Sequence, residues 1–103
     1  MAFIQYEEHD QVGLLTIDRP QALNALNTEL LKELEQVLDQ VDLENTRCLV
    51  VTGAGEKAFI AGADVAEMCE MNAEEGREFG AYGNRIFRKL EVLPIPVIAA
   101  ING

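Results

Sequence analysis

The segment KAFIAGADV, residues 57–65, is the most informative stretch of this 103-residue chain. It is rich in alanine and glycine, and it comes soon after a continuous apolar run, residues 47–52, that is typical of a buried strand. Small residues let a ligand lie against bare backbone, so main-chain N–H groups can act as hydrogen-bond donors. The segment therefore predicts a binding loop in which the backbone does the chemistry.

Apolar patterning on either side of this loop predicts an α/β fold with the element order β-β-α-β-α-β. We expect four strands, the last of them buried, at residues 2–9, 12–17, 47–52 and 97–101. Neither a linker nor a change in composition divides the chain. Residues 1–103 are therefore expected to form one domain.

Two longer helices and one short helical turn are expected between these strands. The first begins at a cap, Asn27 or Thr28, and runs to about residue 43. Asn72 and Glu75 have the spacing of a capping box, which predicts a helix to about residue 93. Asp64 is expected to cap the short turn that directly follows the loop.

Composition excludes several functional classes. A net charge of −10 argues against nucleic acid as a partner, because phosphate binding needs clustered cations. The chain has no apolar run of the roughly 18–20 residues that a membrane span needs, and residues 1–10 lack a basic leader, so neither a membrane segment nor a signal peptide is expected. Cys48 and Cys69 with one histidine, His9, do not predict a metal site. We expect reduced thiols, with Cys48 in the core beside Leu49 and Val50, and a cytoplasmic location.

Four motifs, in register, resemble the crotonase (enoyl-CoA hydratase/isomerase) superfamily. They are TIDRP at 16–20, ALNAL at 22–26, Thr52-Gly53 with residues 57–65, and PVIAAING at 96–103. The middle of the chain is most similar to short-chain 3-hydroxybutyryl-CoA dehydratases. The resemblance implies the N-terminal part of a crotonase-like ββα spiral fold, so residues 1–103 would be a single incomplete domain.

The resemblance also implies a reaction, the reversible hydration of short-chain trans-2-enoyl-CoA. It requires neither metal nor cofactor, since the CoA thioester is the substrate. The backbone N–H of Ala63 would be the first of two oxyanion donors. The second donor and two catalytic glutamates would follow Gly103, so the chain alone is expected to be inactive. Its implied substrate-binding residues are Gln21, Ala22, Leu23, Ala25, Ala61, Gly62, Ala63, Asp64 and Val65.

Several departures and alternatives remain open. Many family hydratases carry lysines where this chain has Gln21 and Ala66, which leaves backbone contacts, Arg19 or Lys57 to bind the anionic CoA. Glu67 and Glu70 are expected on a solvated face rather than as proton-transfer groups.

Two alternative functions remain open. The parent could catalyse another acyl-CoA reaction of the superfamily, as an isomerase or thioester hydrolase, or the chain could be a non-catalytic truncated module. The parent is expected to be a trimer or hexamer, and the chain to self-associate through the strand edge at 97–101.

Overall fold

A computed structural model describes residues 2–103, which form a four-stranded sheet covered by helices on one face. The spatial order is β1-β2-β3-β4, with β1 antiparallel to β2 and the other pairs parallel. The strands are β1 (Ile4–His9), β2 (Val12–Ile17), β3 (Cys48–Gly53) and β4 (Val97–Ala100). Asp10 and Gln11, both with positive φ, make the tight turn of the β1-β2 hairpin.

Three α-helices and one 3₁₀ turn connect the strands: α1 (Thr28–Gln40), α2 (Val65–Met68), α3 (Ala73–Glu91) and the turn Pro20–Ala22. The predicted element order is confirmed, and the 3₁₀ turn is an element that the sequence patterns did not predict. Asn27 caps α1, and the capping box of Asn72 and Glu75 opens α3 as predicted. The first helix ends before residue 43, because Val41 is extended and the Asp42 carbonyl accepts from the Thr46 N–H.

The hydrophobic core lies between one face of the sheet and helices α1 and α3. Alternate residues of the strands point into it, as the period of a strand requires. The core residues with at most 2% exposure are Ile4, Leu15, Ile17, Leu30, Leu31, Leu34, Leu49 and Ile86. Burial of these side chains is the main stabilising contribution of this layer.

The opposite face of the sheet is less covered, and here two expectations are wrong. All four residues of β4 are exposed, whereas a buried last strand was predicted. Cys48, predicted to lie in the core, is half-buried. The reason is positional: β4 lies at the sheet edge beside β3, and Cys48 points to the face opposite Leu49. An apolar run alone does not tell which strand will be covered.

Among residues 2–103, no helix combines the length and the apolar character needed to cross a bilayer.

Candidate functional site

Two backbone segments lie side by side beyond the ends of β2 and β3. We call residues 21–26 the first wall and residues 61–65 the second wall. Leu26 and Ala63 form an isolated parallel bridge between them. The Leu26 N–H donates to the Gly62 carbonyl (2.7 Å), the Asp64 N–H to the Leu26 carbonyl (2.8 Å), and the Ala61 N–H to the Leu23 carbonyl (3.2 Å). The structure thus brings together the two segments singled out from the sequence.

The bridge fixes the direction of the Ala63 N–H. A trans peptide unit is planar, so its C=O and N–H point in opposite directions. Because the Gly62 carbonyl is directed at the Leu26 N–H, the Ala63 N–H of the same unit is directed away from the first wall. No hydrogen bond within residues 2–103 uses this N–H, and Ala63 is exposed. Gly62 allows the geometry, since its φ is +108°.

Asn24 holds the first wall to the loop that follows β3. Its side chain is 1% exposed, and its φ of 58° lies in the left-handed region that asparagine tolerates. The Arg19 N–H donates to Asn24 Oδ1 (2.8 Å), and Asn24 Nδ2 donates to the carbonyls of Ala54 and Ala58 (3.0 Å each). The sequence patterns did not predict this role, although Asn24 is the one polar residue inside ALNAL.

Asn102 supports the same loop from the other side. Its Nδ2 donates to the carbonyls of Gly55 (2.8 Å) and Ala58 (3.2 Å), while its Oδ1 accepts from the Gly53 N–H (3.3 Å). The Ala58 carbonyl therefore accepts from two asparagine side chains. This contact was not predicted either, because nothing local to residue 102 indicates a partner far away in the chain.

Arg19 joins the two walls. Its Nη2 lies 2.7 Å from Asp64 Oδ2, its Nη1 donates to the Ala25 carbonyl (3.0 Å), and the guanidinium lies 5.7 Å from the Phe3 ring centre. The Arg19 and Asp64 side chains are only 15% and 14% exposed. These contacts hold Arg19 largely buried between the walls, so Lys57 is the more accessible of the two cations expected to bind CoA.

Asp64 caps α2 as predicted. Its Oδ1 accepts from the Glu67 N–H (3.2 Å), which satisfies one of the free donors at the start of the helix. The hydrogen bond from Arg19, followed by that from the Glu67 N–H, holds the pKa of Asp64 below its ordinary value. The carboxylate therefore stays ionised at neutral pH and is suited to a structural rather than a proton-transfer role.

Glu67 is not on a solvated face, contrary to expectation. Its Oε1 accepts from both the N–H (3.0 Å) and the hydroxyl (2.6 Å) of Thr28, the first residue of α1. The negative charge at a helix N-terminus is favourable. Glu70 is exposed, so the expectation of a solvated side chain is confirmed for that residue alone.

Most of the expected substrate-binding residues are accessible. The exposed ones are Gln21, Leu23, Ala61, Gly62, Ala63 and Val65, and the half-buried ones are Ala22, Ala25 and Asp64. A cleft of about 330 Å³, lined in part by Leu23, Asn24 and Lys57, adjoins the first wall. Lys57 is exposed there, whereas Arg19 is not. Within the described part of the chain, no group of three or more His, Cys, Asp or Glu could hold a metal ion.

Comparison with known proteins gives consistent matches. The family model described as enoyl-CoA hydratase/isomerase matches residues 7–103. A short-chain-enoyl-CoA hydratase of Clostridium acetobutylicum is 52% identical over 98 residues, and a crotonyl-CoA hydratase of Syntrophomonas wolfei is 45% identical over 98 residues. Each alignment covers 94% of this chain and 38% of the relative.

The crystal structure of an enoyl-CoA hydratase from Bacillus anthracis superimposes with a TM-score of 0.93 at 41% identity, over 98% of this chain and 40% of that one. This likeness confirms the crotonase-type α/β fold expected from the sequence. The chain spans about 38% of the length of the two curated relatives named above.

Proposed function

Because the chain belongs to the enoyl-CoA hydratase/isomerase family, we propose that it contributes the first oxyanion donor for hydration of short-chain trans-2-enoyl-CoA. The observation that carries this proposal is the Ala63 N–H, which no hydrogen bond within residues 2–103 uses and which is directed away from the first wall, at an exposed residue. Addition of water to an enoyl thioester develops negative charge on the thioester oxygen. A preorganised N–H donor lowers the barrier for such a step by about 3–4 kcal/mol.

The two walls form the proposed binding groove for the acyl-CoA. Small residues and exposed backbone on both sides let the pantetheine and thioester approach closely. Lys57 is the exposed cation in the adjoining cleft and is the proposed partner for CoA phosphates. In this proposal CoA is part of the substrate, and no metal or redox cofactor takes part.

The proposed substrate is short, such as crotonyl-CoA or, in reverse, 3-hydroxybutyryl-CoA, in butyrate-type metabolism. Support for this choice comes from the relative described as a short-chain-enoyl-CoA hydratase, at 52% identity. A cytoplasmic location belongs to the same proposal. It is supported by two free thiols, Cys48 and Cys69, which are usual in a reducing compartment.

The chain alone is proposed to bind the substrate without turning it over. Hydration needs groups that transfer protons, and Glu67 is occupied by Thr28. The resemblance places the second donor and both catalytic glutamates after Gly103. In a hydration assay with crotonyl-CoA we expect no turnover by the 103-residue chain. Robust turnover would contradict the proposal that the proton-transfer groups lie outside this chain.

Binding is the direct test of the groove. We expect calorimetry to detect crotonyl-CoA binding, and Gly62→Ala to weaken it, because a φ of +108° is strained for any residue with a Cβ. Gly80→Ala, in open space on α3, is the matched control and should leave binding unchanged. Equal affinity in wild type and Gly62→Ala would argue against the Ala63 N–H as a donor to the substrate.

Assembly into a homo-oligomer, a trimer or hexamer, is also proposed for the parent protein. Its support within this chain is the exposed apolar edge of the sheet, where Ile98 is 52% exposed. The same edge is proposed to make the chain self-associate.

A further inference from the structure

The bridge that orients the Ala63 N–H is weak by itself. It is a single pair, Leu26 and Ala63, outside any named strand, so no continuing ladder supports it. Ala61, Gly62 and Ala63 are exposed, which gives the second wall little apolar burial. Segments with exposed backbone hydrogen bonds and few buried contacts open locally at low free-energy cost. Another interaction is therefore needed to keep the donor in place.

Arg19 supplies a contact on each side of this bridge. Its Nη1 donates to the carbonyl of Ala25, the residue before Leu26, at 3.0 Å. Its Nη2 lies 2.7 Å from the carboxylate of Asp64, the residue after Ala63. One rigid guanidinium thus ties together the two chain segments directly beside the bridged pair. Charge-assisted hydrogen bonds of this kind are stronger than neutral ones.

Arg19 is also held by two further contacts, one to the first wall and one to Phe3. Its own N–H donates to Asn24 Oδ1 and its guanidinium lies over the Phe3 ring. Exposure of only 15% for Arg19 and 14% for Asp64 means that water does little to screen the pair. Loss of either partner leaves the other charge partly buried and unpaired, which is costly.

We propose that Arg19 is a positioning residue for the Ala63 N–H, acting by holding Ala25 and Asp64 at a fixed separation. The inference rests on the proposed function, because it concerns the same oxyanion donor. In this proposal Arg19 acts through Ala25 and Asp64 and touches neither the substrate nor the reacting atoms. Its substitution should free the second wall to move while the core stays folded.

Amide hydrogen exchange tests the proposal without any ligand. The Leu26 and Asp64 N–H groups form the bridge, whereas the β3 amides of Leu49 and Val51 report on the core. In Arg19→Gln we expect protection at the two bridge amides to fall at least about tenfold more than at the β3 amides. An equal loss of protection at the bridge and β3 amides would overturn the proposal, because Arg19 would then stabilise the whole fold. No loss of protection at the bridge amides would also overturn it, because Arg19 would then be dispensable.

Three further variants keep this test decisive if Arg19→Gln folds poorly. Asp64→Asn retains an N-cap residue but removes the ion pair, and should show the same selective loss. Arg19→Lys keeps the charge without the forked geometry, so its loss should be intermediate. Arg88→Gln is the matched control, since the Arg88 side chain is 72% exposed, and it should leave both sets of amides unchanged.

A second readout addresses the donor function. Crotonyl-CoA labelled with ¹³C at the thioester carbonyl should show a downfield shift when bound to wild type, because a donor polarises the carbonyl. Bound to Arg19→Gln at saturation, the label should lose most of this shift, and an unchanged shift would overturn the proposal. If wild type itself produces no shift, the proposed function fails, while the exchange result still decides whether Arg19 positions the bridge.

Discussion

The loop from Gly53 to Asp64 and the strand β4 both adjoin β3, yet they are held in different ways. Side chains from distant parts of the chain support the loop: Asn24, Asn102 and Arg19 bind its backbone or its last carboxylate. By contrast, β4 depends chiefly on its main-chain pairing with β3, and all four of its residues are exposed. Order at the candidate site therefore comes from polar contacts, whereas β4 remains an open edge.

This difference has a functional meaning. A backbone donor must keep its direction without a side chain to aim it, so its surroundings have to be fixed in advance. Apolar packing would fill the groove that a substrate needs, while hydrogen bonds behind the walls leave the groove open. Variants that remove these polar contacts should therefore disturb the loop more than substitutions in β4 disturb the sheet.

The largest effect is expected from Gly53→Ala. An added Cβ would collide with the Phe59 carbonyl and crowd Asn24 Nδ2, and neither can move without breaking the loop contacts. We expect a loss of about 3 kcal/mol or more in the free energy of unfolding, measured with urea. Gly80→Ala, with no neighbouring atom near its Cβ, should instead gain up to about 1 kcal/mol. Similar values for the two variants would refute the close packing at Gly53.

Asn24→Ala should have the next largest effect. It leaves the Ala54 carbonyl and the Arg19 N–H without a partner, leaves the Ala58 carbonyl with Asn102 alone, and places alanine at a φ of 58°. We expect the free energy of unfolding, measured with urea, to fall by about 2–3 kcal/mol, since each buried polar group left without a hydrogen bond costs about 1–3 kcal/mol unless water replaces the partner. Asn84→Ala, at an exposed position of α3, is the control and should be neutral or slightly stabilising. A cost below about 1 kcal/mol for Asn24→Ala would show that water replaces its contacts.

Acid should weaken the loop through Asp64. In the folded state Arg19 lowers the pKa of this carboxyl. The ionised carboxylate therefore stabilises the fold at pH values above the ordinary aspartate pKa of about 3.9, and this stabilisation is lost as the pH falls below that value. We expect the urea midpoint to drop between pH 6 and pH 2.5, and to drop less in Asp64→Asn. The same pH dependence in both proteins would contradict a stabilising ion pair at this site.

The smallest effect on stability is expected at β4. Ile98 is 52% exposed, so Ile98→Thr should change the unfolding free energy by less than about 0.5 kcal/mol. The same change should reduce self-association, measured by light scattering at high concentration, because it removes apolar surface from the edge region. Val92→Thr, 57% exposed just after α3, is the control. If light scattering showed only monomeric wild-type protein at high concentration, self-association would be contradicted altogether.

Sequence patterns predicted the parts of the fold that depend on local rules. The helix caps at Asn27, Asp64 and Asn72 depend on residues three positions apart or fewer; Asp64 and Asn72 were predicted outright, and Asn27 was one of the two residues expected to cap α1. The exposure of β4 and the half-burial of Cys48 were not, because coverage of a strand depends on where distant helices pack.

The candidate site shows the same division. The adjacency of the two walls agrees with the family resemblance, whereas the roles of Arg19, Asn24 and Asn102 were missed. Each of these side chains binds backbone well away from its own position or closes a contact between segments. Propensity and periodicity carry no information about such contacts, so they become visible only in three dimensions.

The central claim is that the Ala63 N–H donates to the thioester oxygen, and the amide resonance of Ala63 tests it most directly. We predict a downfield shift of this proton on titration with crotonyl-CoA, and none with the thioether analogue in which CH₂ replaces the carbonyl. No shift with either compound, or the same shift with both, would contradict the claim.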